Sequence, residues 1–130
     1  MGKLEELEQA LSSKHLELEK LEDNYHRQAH DISEQFFELD SKRTELENLF
    51  QESYEATSYT LRKDYIVDED SFRSLNQIIE SFQTELDDGY NQVHQNLIEL
   101  EDQTSRDYQK KRNQLEQKIN ALQRERRHLE

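Results

Sequence analysis

Three groups of side chains have types and spacings that could do chemistry. His26 and His30 stand i, i+4 on one helix face with Asp23 nearby, a spacing that can hold a divalent metal. The register derived below sets residues 103–107 opposite them: Gln103, Thr104, Ser105, Arg106 and Asp107. That segment offers no further histidine or cysteine, and Arg106 repels a cation, so the pair reads as surface histidines. Asp64, Asp68 and Asp70 form an acidic cluster in mid-chain. A calcium loop of the EF-hand type also needs a glycine at its sixth position and a glutamate at its twelfth, and neither is in register. These acids read as helix caps. Glu125-x-x-His128 has the spacing of a di-iron half-site, but such sites need a second pair and two more inward glutamates.

The chain lacks other chemical equipment as well. It has no cysteine and only two glycines among 130 residues. Thiolate chemistry and a phosphate-cradling glycine loop are therefore excluded. No Ser-His-Asp setting is recognisable, and a narrow two-helix seam offers no pocket. The expectation is a protein without catalytic residues, metal or cofactor. A net charge of −13 disfavours binding to the nucleic-acid backbone. No apolar run approaches the ~18 residues of a membrane span, and no signal-peptide core is present. The expected location is the cytoplasm, with export alongside a partner left open.

The elements that would position any site are helices. Apolar residues make up 32% of the chain and charged ones 36%, a balance that disordered chains share. Periodicity separates the two cases. Leu4, Leu7, Leu11, Leu18, Leu21, Tyr25 and Ile32 follow steps of three and four, and Phe36, Leu39, Leu46, Phe50, Thr57 and Leu61 continue them. Phe72, Leu75, Ile79, Phe82, Leu86, Val93, Leu97, Leu100, Tyr108, Leu115, Ile119, Leu122 and Leu129 form a second series. Each series is an apolar stripe on one helix face. Tyr65-Ile66-Val67 disfavours helix between them, while Asp68, Asp70 and Ser71 suit a helix start. The spacing predicts one domain, 1–130: helix 3–64, turn 65–70 and helix 71–129, each helix roughly 90 Å long.

A fold-back at the turn requires paired positions to have a constant sum. Leu4 with Leu129, Leu11 with Leu122, Leu18 with Leu115 and Tyr25 with Tyr108 share one sum, and Leu61 with Phe72 returns to it. Leu39 with Val93, Leu46 with Leu86 and Phe50 with Phe82 differ from it by one. The fold expected is therefore all-α, a long antiparallel two-helix hairpin resembling a coiled coil. Residues 106–130 hold 8 basic and 4 acidic residues (8 − 4 = +4), against 3 and 7 in residues 1–25 (3 − 7 = −4). The hairpin lays these complementary segments side by side. Asp87-Asp88-Gly89 is turn-like, and interior glycine costs about 1 kcal/mol against alanine, but the stripe continues through Leu86, Tyr90 and Val93, so a kink at most is expected; the alternative is a break into helices 71–87 and 90–129.

Lys14, Gln28, Arg43, Ser53 and Thr104 interrupt the seam with polar groups. Such a hairpin buries little area against the backbone entropy it must offset. Phe37, Leu49, Tyr59, Ile78 and Ile98 lie off the seam, in the wider pattern of a helix that touches more than one neighbour. These five are the candidate partner-binding residues. Pairing into a helical bundle, as a homodimer or with another helical protein, would supply the missing burial.

A helical hairpin of this size, ending in the basic, Leu-spaced segment Asp107-Tyr108-Gln109-Lys110-Lys111-Arg112-Asn113-Gln114-Leu115-Glu116, resembles the small accessory proteins encoded beside LXG toxins of the Gram-positive type VII secretion system. The Trp-x-Gly turn common among small proteins of that system is absent; Ile66-Val67-Asp68 stands in its place. The resemblance implies a non-enzymatic targeting factor. Its partners would be the helical domain of a toxin and a second small helical accessory protein. Phe36-x-x-x-Asp40 and Tyr65-x-x-x-Glu69 match the family's export strings but lie far from the C-terminus, so no export signal is assigned. The alternative reading is a self-associating coiled-coil scaffold or regulatory protein.

Overall fold

The computed structural model describes residues 2–63 and 69–130. Two α-helices account for nearly all of them, α1 at Lys3–Lys63 and α2 at Glu69–Leu129. They pack against each other as a helical hairpin, in the register expected from the sequence: the Tyr25 and Tyr108 rings stack at 4.2 Å, and those of Phe50 and Phe82 at 4.0 Å. Both helices carry acids in the first turn (Glu5 and Glu6; Glu69 and Asp70) and bases in the last (Arg62 and Lys63; Arg126 and Arg127). Each sign suits the helix dipole at that end.

Residues 65–68 of the expected turn, and Asp64 at the end of the first predicted helix, lie outside the described residues. Glu69 and Asp70 are already helical, so α2 starts two residues earlier than predicted, and Asp70 and Ser71 lie in its first turn. The helix also runs unbroken through Asp87-Asp88-Gly89, and Gly89 has ordinary helical φ. The alternative of two separate helices is thereby excluded, and nothing at this glycine demands a left-handed backbone. Its intrinsic cost of about 1 kcal/mol is small beside the packing on either side.

The described residues divide into two compact units. Unit 1 joins Met1–Ser33 with Glu99–Glu130, and unit 2 is Glu34–Ile98. In unit 1 the buried side chains are Leu7, Leu11, Ile32, Tyr108 and Ile119. Tyr108 is fixed from both ends: Tyr25 covers its ring, and the Arg112 Nη1 donates to its hydroxyl at 3.3 Å. Arg112 also donates from Nε to Glu116 at 2.9 Å, one turn on. This hydrogen bond, the largest cause, raises the arginine pKa.

In unit 2 the seam departs from the predicted stripe. Val93 and Leu46 were expected inside it, yet they are 44% and 45% exposed. Leu100 in unit 1 is likewise exposed, as are Leu4 and Leu129 at the chain ends. From Phe82 the buried face of α2 advances in steps of four, through Leu86 and Tyr90 to His94. Successive four-residue steps rotate the face past Val93, because 3.6 residues make a turn. On α1, Ser58 is buried and Thr57 exposed, the reverse of the expectation.

Candidate interaction surface

Where Val93 was expected, unit 2 has a polar and aromatic cluster. Tyr90 donates its hydroxyl to Asp40 Oδ1 at 2.6 Å. The Arg43 guanidinium lies 4.5 Å from the centroid of the Tyr90 ring. It donates from Nη2 to Asp87 Oδ1 at 2.5 Å and from Nε to Glu47 Oε1 at 2.9 Å. His94 stacks on Tyr90 at 5.5 Å and meets Phe36 edge-on at 5.3 Å. Arg43 thereby crosses from α1 to α2 with a carboxylate on each side. Its pKa is raised, first by the hydrogen bond to Glu47. That of Tyr90 is also raised, first by its hydrogen bond to Asp40, which favours the protonated phenol. Arg43 was read from the sequence as a mere polar break. Its signal was the acid four residues on, Glu47, together with the off-phase aromatic Tyr90.

This cluster lies on one side of the unit 2 seam. Arg43, Glu47 and Gln51 border a groove there with Gln83 and Asp87. On the other side, Phe50 borders a groove with Ser74, Ile78, Ser81, Phe82 and Glu85. Ser74 and Ile78 carry that groove on to Thr57, Leu61 and Leu75. At about 100° per residue, Leu46 and Leu49 on α1 project on this second side, away from Glu47 and Gln51. Ile78, Gly89 and Val93 project on the same side of α2. Unit 2 thus carries its polar pairs on one side of the seam, while the other carries exposed Leu46, Leu49, Ile78 and Val93.

All five candidate residues are exposed: Phe37 at 73%, with Leu49, Tyr59, Ile78 and Ile98 also open to solvent. They belong to one unit but not to one face. Leu49 and Ile78 lie on the open side, Phe37 and Ile98 on the side of the cluster, and Tyr59 at the back of α1. Sequence reasoning missed Leu46 and Val93 by placing them in the seam.

His26 and His30 are exposed on α1, with His26 in tilted contact with Tyr25 at 5.8 Å. Among the described residues, no three histidine, cysteine or acidic side chains converge as a metal site would require. No helix among them is long and apolar enough to cross a membrane. The chain matches no protein-family model, no curated protein and no solved structure.

Proposed function

We propose that this protein acts by binding rather than by catalysis. It would be a helical partner of an LXG-type toxin, serving as a targeting factor that promotes the toxin's export by a type VIIb secretion system. The observation that carries the reading is the number of large apolar side chains left in water, Phe37, Leu49, Tyr59, Ile78 and Ile98 among them. The grooves beside them are shallow and flanked by glutamine, serine and acids, without a cluster of groups poised for chemistry. A helix with apolar residues on several sides suits packing among other helices. The proposed partners are the helical domain of the toxin and a second small helical accessory protein.

Co-expression with a candidate LXG helical domain tests this. A stable complex is expected, weakened by charged substitutions at Phe37 and Ile98 that leave the helical content unchanged. Failure to co-purify, with both chains folded, overturns it.

A further inference from the structure

We infer that the open face of unit 2 is covered by a second copy of this chain, packed hairpin against hairpin as a four-helix bundle. The two-fold axis runs parallel to the helices. Four observations carry this: the area left exposed, the near absence of charge on the face, the placement of its two charges, and Gly89.

The chain exposes 10440 Å². A compact folded monomer of 15.8 kDa exposes roughly 7,300 Å². The excess, about 3,000 Å² over both units together, compares with the roughly 1,000–2,500 Å² that a homodimer interface commonly takes from each copy. The open face supplies apolar surface for it in Leu46, Leu49, Ile78 and Val93, bordered by the small side chains of Ser74 and Ser81.

Charge selects a second copy and its orientation. Residues 34–98 hold 15 acidic and 5 basic side chains (5 − 15 = −10), so two copies meeting anywhere else on this unit would set acids against acids. On the open side, within about 120° of the seam direction, only Lys42 on α1 and Glu85 on α2 are charged. Two-fold symmetry repeats every contact. An axis parallel to the helices lays α1 of one copy on α2 of the other at the same level. The contacts Arg43–Asp87 and Asp40–Tyr90 put Glu85 within about a turn of the level of Lys42. Lys42 of each copy then meets Glu85 of the other, twice over. An axis across the helices would lay α1 on α1 and leave Lys42 of one copy without Glu85 of the other.

Gly89 has no reason within its own chain. Its φ is ordinary, and an added Cβ would meet nothing within 4 Å. Glycine in a helix interior nevertheless destabilises it. A close approach from outside accounts for it. In the parallel-axis arrangement, Leu46 of the second copy stands within about a turn of Gly89, a large side chain over the one flat position on the face.

Light scattering coupled to size exclusion, over protein concentrations up to ~100 µM, tests this on the full chain. The expected mass is twice 15.8 kDa. The L46E/V93E double variant should be monomeric with unchanged helical circular dichroism, because both positions are already open to water. Gly89→Leu should weaken the dimer at least about tenfold, although leucine favours helix. Phe37→Glu, on the other face, should leave the dimer intact. Lys42→Glu should weaken it, and K42E/E85K should restore it. A monomeric wild-type protein throughout overturns the proposal. So does a dimer that survives L46E/V93E and is broken by Phe37→Glu. The outcome is independent of whether any toxin domain binds.

Discussion

The guanidinium of Arg43, from α1, lies 4.5 Å from the centroid of the Tyr90 ring on α2. Asp87 and Glu47 take up its N–H groups, while Asp40 accepts the Tyr90 hydroxyl. A seam that could have been closed by valine is instead closed by an arginine, a tyrosine and three carboxylates. An apolar stripe tolerates slippage by a turn or by one helix face. A bidirectional arginine bridge does not, because its donors have fixed directions. This cluster links the two helices of unit 2 beside the stacked Phe50 and Phe82 rings.

Removing the Tyr90 hydroxyl should expose that coupling. Tyr90→Phe and Asp40→Ala should each lower the thermal midpoint slightly. Their double variant should lose less than the two losses combined, as a double-mutant cycle by thermal unfolding would read. Strict additivity would mean that the hydrogen bond contributes nothing.

The same hydrogen bond gives stability a high-pH dependence. The folded-state pKa of Tyr90 is raised by Asp40, so the protonated phenol is favoured in the fold. Its contribution is fully present below the ordinary tyrosine pKa, about 10. It fades as pH rises through the higher folded value. Urea unfolding across that alkaline range should show wild-type stability falling more steeply than that of Tyr90→Phe.

The aromatic stacks separate seam from surface. Phe50→Ala should cost about 2–3 kcal/mol, the lower end for phenylalanine because the ring is only half-buried. Phe37→Ala, at a position 73% exposed, should stay within about 0.5 kcal/mol. Chemical denaturation of the two variants measures the contrast. Equal losses would mean that Phe37 is covered in solution.

Gly89→Ala should raise stability when the open face is free. In the monomeric L46E/V93E background the gain should approach about 1 kcal/mol, since the added methyl meets nothing. In the wild-type protein the gain should shrink, because the same methyl stands between two copies. Unfolding by guanidinium in both backgrounds provides the comparison.

In unit 1, Leu11→Ala should cost about 2–4 kcal/mol, since its side chain is buried and the cavity has only two helices to collapse it. The loss of helical circular dichroism on heating would reveal it directly.

By itself the sequence determined the helices, their antiparallel pairing and most of their length. Local rules suffice for that. Steps of three and four write a stripe into each helix, the absence of proline leaves both uninterrupted, and Tyr25–Tyr108 and Phe50–Phe82 meet at the sums the stripes require. The five off-stripe residues were legible for the same reason, as apolar positions that no periodic face accommodates. Only the tertiary structure decided which residues close the seam at Arg43, Tyr90 and His94, and hence that Leu46 and Val93 face water. About 100° of rotation, a single residue, separates Val93 from the half-buried His94, and hydropathy favours the valine. There Asp40, Arg43, Asp87 and Tyr90, residues far apart in the chain, are joined by directional bonds that hydropathy does not foretell. That choice leaves unit 2 with a polar bridge on one side of its seam and exposed Leu46, Leu49, Ile78 and Val93 on the other.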